Sequence, residues 1–271
     1  MATVNRREFL GGTILAAGGL LARRSLGVST QPAASQPLPA PPPDAVIAMI
    51  FCDGDVPPAK VVDCSQDPYC AWLFKRNPPT DDTLLMGPDQ SLQNVFVSVV
   101  RGLPKNKTWA ASAEPVVITE KCWFIPHVVG VMAGQPLEFR NATKTLEVPH
   151  GFAKENKEFQ FNIPQGQRRQ VILKYPEAVT VKCDVHPWEL AYCHVVTHPF
   201  FAVSDARGRV VLRGLPPGEY ELAFWHEKLG TQTRVAKVHP DRATELESIT
   251  FAPPDRHRRP DPSRPATSRP G

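Results

Sequence analysis

From Ala45 onward the chain is a succession of short apolar runs separated by turn residues. Several runs alternate apolar and polar residues with a period of two, as GEYELAFW (218–225) does, and this pattern is typical of half-buried strands. No sustained apolar stripe of helical period is present there, and 30 prolines and 17 glycines favour many turns and few helices. The sequence therefore predicts an all-β protein built of β-sandwiches.

The predicted strands have in common a β-type apolar run that ends at a turn residue. They are a run that begins near Ala45, and residues 94–100, 114–119, 124–134, 136–141, 168–175, 178–183, 191–196, 200–205, 208–214, 218–225 and 233–238.

The two ends of the chain have a different composition from this region. Residues 1–30 contain paired arginines followed by a Gly-diluted apolar run, which resembles a twin-arginine export signal and is too short to span a bilayer comfortably. Residues 31–44 are a Pro/Ala linker, and residues 253–271 form a Pro/Arg tail that we expect to be disordered. We therefore expect an exported or periplasmic protein with no stable membrane span after processing.

The positive charge of the chain belongs to these ends. Residues 1–27 and 253–271 each carry a net charge of +3, whereas the whole chain carries +4, so the folded part is slightly acidic. The basic pI therefore does not indicate nucleic-acid binding. The six cysteines of an exported chain imply an oxidising compartment in which disulfides persist.

The stretch VKCDVHPWELAYC carries the most specific chemistry in the chain. It places Cys183, His186 and Glu189 at spacings of three, in a loop between two predicted strands. Upstream, LEVPHGF places His150 after another predicted strand. Copper sites for electron transfer use two imidazoles and one thiolate in a plane, with a weak axial ligand. The spacing therefore predicts a copper site.

Residues 109–197 resemble a cupredoxin of the amicyanin or plastocyanin type, in which a CxxHPW-like loop supplies most of the ligands. The resemblance implies that His150, Cys183 and His186 are the three strong ligands, and that Glu189 occupies the position of the usual axial Met. A carboxylate there would favour the oxidised ion and lower the reduction potential.

Three alternatives stay open for this loop. Glu189 either binds copper or points to solvent, and in the third alternative no metal binds and Cys183 forms a disulfide, for instance with Cys193. A bacterial subfamily of exported, methylamine-utilisation-like proteins shares further segments with this chain. The matching residues in those segments are Cys122, His127, Cys183, His186, His198 and His226. Outside the metal loop, Cys122 is expected to be a disulfide cysteine with Cys70 as its preferred partner.

A second module is indicated by GRVVLRGLPPGEY, which resembles a carboxypeptidase regulatory-like, transthyretin-like β-sandwich. We predict that residues 45–108 and 198–252 form this module and that the cupredoxin-like segment is inserted into it. One composite sandwich, or two sequential domains, are the alternatives.

The leading functional hypothesis is a non-enzymatic copper protein of the cell envelope that transfers electrons or holds copper. A redox protein would dock at an exposed edge of His186, beside Pro187 and Trp188. The alternative is a structural or interaction protein with a degenerate metal site. A metalloenzyme with Glu189 as general base is a third possibility, weakened by the lack of a second evident catalytic group.

Overall fold

The computed structural model describes residue 42, residues 44–54, residue 56 and residues 58–252. The predicted export signal, most of the predicted linker and the predicted C-terminal tail lie outside the described residues. The fold is all-β, as the sequence predicted. One short helix, α1, spans Pro68–Phe74, and a 3-10 turn spans Pro88–Gln90.

The strands are numbered β1 to β17 along the chain. They are β1 (Val46–Cys52), β2 (Phe96–Arg101), β3 (Val116–Glu120), β4 (Phe124–Ile125), β5 (Val128–Met132), β6 (Pro136–Asn141), β7 (Pro149–Phe152), β8 (Phe159–Gln160), β9 (Arg168–Ile172), β10 (Glu177–Cys183), β11 (Leu190–Val196), β12 (Phe201–Val203), β13 (Arg209–Leu212), β14 (Gly218–His226), β15 (Gly230–Val238), β16 (Thr244–Glu245) and β17 (Ile249–Phe251).

Two sheets are built from the middle of the chain. One has the order β5-β11-β10-β7-β8 and the other the order β4-β3-β6-β9. Their apolar side chains share a core that contains Ile118 and Phe139 from one sheet and Val179, Val181 and Ala191 from the other. We call this pair of sheets the inner sandwich. The candidate site lies at the end of it where β10 and β11 are joined.

Two further sheets are built from strands that precede the inner sandwich in the sequence together with strands that follow it. One has the order β13-β1-β16, with β17 also paired to β1, and the other has the order β12-β2-β14-β15. In β14, Tyr220, Leu222 and Phe224 are buried while the intervening residues are more exposed, which is the alternation that the sequence predicted. We call this pair the outer sandwich. Its identification as a carboxypeptidase regulatory-like domain stays a prediction from the motif.

Aromatic contacts join the two sandwiches. The ring of Phe96 from β2 stacks on His194 from β11 with centroids 4.1 Å apart, and Trp225 from β14 meets the same imidazole at 4.3 Å. Gly130 in β5 is required here, because a Cβ atom would lie 2.4 Å from the ring of Phe201. The inner sandwich is therefore held closely against the outer one.

A long connection between β1 and β2 leaves the outer sandwich and reaches the candidate site. We call residues 58–86 of this connection the strap. It contains α1, and a disulfide between Cys70 of α1 and Cys122 ties it to the inner sandwich, which confirms the predicted pairing. In the part of the chain that the structure describes, no helix is long and apolar enough to cross a membrane.

Candidate metal centre

The loop between β10 and β11 positions three of the predicted site residues. Cys183 is the last residue of β10, and Glu189 immediately precedes β11. The backbone N–H of Glu189 donates to the carbonyl of His186 at 3.0 Å, and that of Cys183 donates to the carbonyl of Glu189 at 3.4 Å. These bonds close the loop, so the three side chains converge. The strand–loop–strand context that the sequence predicted is therefore present.

A fourth side chain, that of Glu147, enters the same space. Its Oε2 lies 2.8 Å from Nδ1 of His186 and 3.5 Å from Sγ of Cys183. The backbone of Glu147 is held by a two-way hydrogen-bonded bridge with Ile163. The next residue, Val148, donates its N–H to Sγ of Cys183 at 3.4 Å. Glu147 thus occupies the place where the sequence pattern led us to expect an imidazole.

These four side chains form a compact donor set. One donor atom from each of Glu147, Cys183, His186 and Glu189 lies within 4.8 Å of the others. Nδ1 of His186 is 3.6 Å from Sγ of Cys183 and 3.3 Å from Oε1 of Glu189. The four residues are between 0% and 3% exposed. They offer one sulfur, one nitrogen and two carboxylates in a space closed to solvent.

Several carboxylate oxygens here have no hydrogen-bond partner among the described residues. They are Oε1 of Glu147 and Oε2 of Glu189, while Oε1 of Glu189 lies 3.3 Å from Nδ1 of His186. Both oxygens of Glu120, at the end of β3, are likewise buried and without a partner. An unpaired buried carboxylate is costly, and such groups are normally protonated, paired or bound to a metal. The unused oxygens are therefore what a cation site would require.

The pKa values show how the cluster adjusts when only protons are available. Burial lowers the pKa of His186, but hydrogen bonds to Cys183, Glu147 and Glu189 outweigh it and raise that pKa to about 12. Burial and the charge of Glu147 raise the pKa of Glu189. Burial, followed by the charges of Glu147 and Glu189, raises the pKa of Glu120 to about 9. Protons on these groups thus offset the negative charge that a metal ion would neutralise.

The strap covers the other side of the His186 ring. Nε2 of His186 lies 3.6 Å from Oδ2 of Asp67, the residue that caps the N-terminus of α1. Asp67 accepts from the N–H of Cys70 at 2.8 Å and from the hydroxyl of Thr145 at 2.8 Å, so its carboxylate is fixed. The prediction that one edge of His186 is exposed is wrong, because the strap brings Asp67 over that edge. Such a carboxylate typically orients a metal-binding imidazole.

The structure does not bring His150 into this cluster. The imidazole is held between Asp184, at 3.1 Å, and Glu158, at 2.5 Å, and it stacks on Phe152. In the pairing of β7 with β10, His150 lies opposite Lys182 and Pro149 lies opposite Cys183. Because successive side chains in a strand face opposite sides, His150 faces away from the Cys183 thiol. Its role as a ligand stays a prediction of the sequence pattern.

The cysteines outside the disulfide are free. Cys52, Cys64, Cys183 and Cys193 are buried thiols, so the alternative Cys183–Cys193 disulfide is absent. Cys193 pairs with Val179 in the middle of the β10–β11 ladder, in the core of the inner sandwich.

Apart from His186, the histidines shared with the bacterial subfamily lie outside the cluster. His127 is buried between Glu227, which it hydrogen-bonds through Nε2, and Asp82, whose Oδ2 lies 3.4 Å from Nδ1. His198 bonds the carbonyl of Val99 through Nε2 at 2.8 Å, and His226 is buried. These residues join parts of the fold and belong to no donor cluster that the described residues form.

Sequence reasoning missed Glu147, Asp67 and Glu120. A signal existed for Glu120, because the alternation in β3 places it on the same buried face as Ile118. No comparable pattern pointed to Asp67, which reaches the site from another part of the sequence.

Comparisons with known proteins add little to this picture. No family model and no curated protein matches the chain. The copper-containing nitrite reductase of Thermus scotoductus matches with 17% identity and a TM-score of 0.30, over 35% of this chain and 25% of that one. A purple cupredoxin of Nitrosopumilus maritimus matches with 17% identity and a TM-score of 0.25, over 30% of this chain and 97% of that one.

An amicyanin variant with copper(I) matches at a similar level, with 16% identity and a TM-score of 0.28, over 36% of this chain and 97% of that one. The chain thus spans about a quarter of the reductase chain that it matches. Scores in this range carry no functional argument, and these matches give no support to the transthyretin-like resemblance. What the chain does show by itself is a buried cluster of sulfur, nitrogen and carboxylate donors able to bind a metal ion.

Proposed function

We propose that this chain is an exported, non-enzymatic copper-binding protein of the cell envelope, which holds one copper ion at Glu147, Cys183, His186 and Glu189. The supporting observation is the convergence of these four buried donors, in which Oε1 of Glu147 and Oε2 of Glu189 lack hydrogen-bond partners among the described residues. Export and location rest on the sequence of residues 1–30.

The donor set fits copper, although it differs from the predicted one. Thiolate and imidazole both suit copper, and divalent copper binds mixed nitrogen, oxygen and sulfur sites more tightly than the other divalent first-row metals. The described residues supply one imidazole in place of two, with carboxylates making up the set. When bound, copper would supply one-electron chemistry. The chain would hold the ion, fix the His186 ring through Asp67, and exclude water.

Holding copper fits the structure better than rapid electron transfer through a docked partner. The sequence led us to expect a redox protein at the edge of His186, but that edge is buried beneath Asp67 and the strap. A redox partner would have to reach the centre by another surface. The hard carboxylates would also stabilise the oxidised ion and lower the reduction potential.

The test is metal content together with the visible and electron paramagnetic resonance spectra of the mature protein. We expect one copper per chain after loading and dialysis, in competition with equimolar zinc, and a sulfur-to-copper charge-transfer band. The Cys183→Ser variant should lose that band, whereas Cys52→Ser, a buried cysteine of the outer sandwich, should keep it. If the wild-type protein bound no stoichiometric metal, a structural or interaction protein with a degenerate metal site would be the better explanation.

A further inference from the structure

A groove lined by three arginines lies on the inner sandwich, at the edge strand β9. Arg140 of β6 and Arg168 and Arg169 of β9 line this open cavity of about 780 Å³. We call it the arginine groove. The described residues that line it include no acidic side chain and none of the four donors of the candidate metal centre. Because the folded part of the chain is slightly acidic, this positive charge does not follow from the overall composition.

Strand register brings two of these guanidinium groups together. In the antiparallel pairing of β6 with β9, Arg140 lies directly opposite Arg168. The preceding residue, Phe139, lies in the core of the inner sandwich, so Arg140 is on the outer face of the sheet. Residues directly opposite each other have Cβ atoms about 5 Å apart, and like charges at such positions repel. The pair therefore favours an anion beside it.

A buried carboxylate neutralises only part of this charge. Glu138 lies on the same face, is 1% exposed, and accepts a hydrogen bond from Nε of Arg140. It also accepts one from Nε2 of Gln170 at 2.6 Å, and its Oε2 lies 4.0 Å from Nε of Arg168. One negative charge against two arginines leaves a net charge of +1, and Arg169 raises it to +2.

The outer ends of the two paired guanidinium groups are available to a ligand. The Nη atoms of Arg140 and Arg168 have no hydrogen-bond partner among the described residues, and these side chains are 48% and 70% exposed. Nη1 of Arg169 donates to the carbonyl of Arg168 at 3.0 Å, which holds its side chain beside the groove. Guanidinium groups bind phosphate through pairs of parallel hydrogen bonds, so three of them suit a doubly charged phosphate group.

The rest of the lining suits a polar organic group attached to that phosphate. A cavity of this size is within the range of small-molecule sites, about 300 to 1,000 Å³, and exceeds what a bare phosphate fills. The hydroxyl of Thr119 and the side-chain amide of Gln167 line it, and neither has a hydrogen-bond partner within the described part of the chain. The described lining residues include no aromatic ring on which a nucleobase could stack. Sugar hydroxyls match these polar groups.

We propose that the arginine groove binds a phosphorylated sugar. Arg140, Arg168 and Arg169 hold the phosphate, and Thr119 and Gln167 hydrogen-bond the sugar hydroxyls. The same chemistry is offered by a soluble sugar phosphate and by the headgroup of a phosphorylated glycolipid. Binding requires no metal, because the groove and the candidate metal centre share no residue.

The experiment is isothermal titration calorimetry of the metal-free, full-length protein with glucose 6-phosphate, inorganic phosphate and glucose. We expect glucose 6-phosphate to bind at least about tenfold more tightly than inorganic phosphate, because the sugar adds hydrogen bonds, and glucose alone not to bind. A sugar phosphate that binds no better than glucose would overturn the proposal. Equal affinities for the sugar phosphate and inorganic phosphate would overturn the assignment of the sugar.

Variants test the assigned residues. Arg168→Gln and Arg169→Gln should each weaken the binding of glucose 6-phosphate at least about tenfold, because each loses charged hydrogen-bond donors. Arg168→Lys should also weaken it, since the charge remains but the paired donors are lost. Arg207→Gln is the matched control, an exposed arginine of the outer sandwich with the same change in charge, and should bind as the wild type does. Thermal unfolding confirms that each variant is folded.

The outcome for Arg168 and Arg169 decides between a ligand site and a structural role. If both glutamine variants bound glucose 6-phosphate as tightly as Arg207→Gln does, these arginines would serve only to neutralise Glu138 and to protect the edge strand. That result would overturn the proposal.

A second arm identifies the source of the phosphate. Wild-type protein is sedimented with phosphatidylcholine vesicles that carry a lipid with a phosphorylated glucosamine headgroup. Co-sedimentation that glucose 6-phosphate displaces, and that Arg168→Gln abolishes, would support the glycolipid as the source. Calorimetric binding without co-sedimentation would support the soluble sugar phosphate. Binding in neither arm would overturn the proposal.

Discussion

Oε2 of Glu147 lies 2.8 Å from Nδ1 of His186, and both atoms face the thiol of Cys183. Glu147 is the side chain that changes the chemistry of this site. With a second imidazole in its place, the loop would present the two nitrogens and one sulfur of an electron-transfer copper site. With a carboxylate, it presents a mixed set whose buried charge requires either protons or a metal ion.

Glu147→Ala should weaken copper(II) binding at least about tenfold, because one of four converging donors is lost. His150→Ala is the matched control, since the imidazole contacts Asp184 and Glu158 and not the cluster. We expect it to change the affinity less than about twofold, as for most surface substitutions. Competition titration against a copper(II) chelator measures both. A comparable loss in His150→Ala would restore that residue to the ligand set.

The double variant Glu147→His with Glu189→Met should convert the centre into the type that the sequence pattern first suggested. It would offer two imidazoles, one thiolate and a soft axial sulfur, a set that gives intense blue copper proteins. Visible absorption of the copper(II) form is the measurement. Glu189→Met alone should shift the spectrum only part of the way. A double variant without a stronger charge-transfer band would show that the backbone cannot accommodate the trigonal set.

Asp67→Asn tests whether the strap orients the His186 imidazole of the proposed copper centre. Loss of the carboxylate beside Nε2 should weaken copper binding by about tenfold, as removal of such partners usually does. Asp63→Asn is the control, because Asp63 belongs to the same strap and is exposed. Equal affinities of the two variants would mean that Asp67 serves only to cap α1. Thermal unfolding of the metal-free variants separates capping from metal binding.

The surroundings of His127 lead us to predict that the stability of the fold depends on pH, independently of copper. Burial lowers the pKa of His127, but the hydrogen bond to Glu227 and the charges of Asp82 and Glu227 raise it above the ordinary value. A histidine whose pKa is higher in the folded than in the unfolded state stabilises the fold. The stabilisation is fully present when the pH is below the pKa of the unfolded state, and it is lost as the pH rises through the pKa of the folded state. The melting temperature should therefore fall from mildly acidic towards alkaline pH.

The control for this dependence is Glu227→Gln. Both Glu227 and His127 are buried, so removal of one charge should cost about 3 kcal/mol at mildly acidic pH, measured by urea unfolding. The variant should also show a flatter pH profile. An unchanged profile would assign the dependence to another group.

Glu227→Gln is expected to destabilise the protein, whereas a substitution of Glu120 is expected to stabilise its metal-free form. The pKa of Glu120 is raised to about 9, mainly by burial, so the folded state holds a proton that the unfolded state releases above about pH 4.5. The stability contributed by this group is therefore lost as the pH rises from 4.5 towards 9. Glu120→Gln should raise the melting temperature, with a difference that grows with pH. A difference that is constant with pH would contradict the raised pKa.

Much of the architecture could be read from the sequence. The period-two alternation of GEYELAFW predicted β14, and the turn residues between apolar runs predicted an all-β fold. These features are local, because a strand with one buried face must alternate. The loop that carries Cys183 and His186 was also predictable, since both residues lie between two recognisable strands. The Cys70–Cys122 disulfide was also predicted, with Cys70 as the preferred partner of Cys122.

One member of the donor cluster could not be read from the sequence. LEVPHGF offers Glu147 and His150, and the histidine has the expected chemistry. The register of β7 against β10 decides between them, because Pro149 lies opposite Cys183 and the neighbouring His150 is turned outward. Since a shift of one residue exchanges the faces of a strand, a site of this kind depends on pairing that no local pattern specifies.

The sequence by itself thus determined the strands, the ligand loop and the chemical types of its side chains, because these depend on neighbours within a few residues. Tertiary structure decided which side chains meet. Glu147 reaches His186 through strand register, and Asp67 reaches it because a disulfide holds the strap across the inner sandwich. Contacts between distant residues follow from packing and pairing of whole elements, and the donor set of the site is fixed at that level.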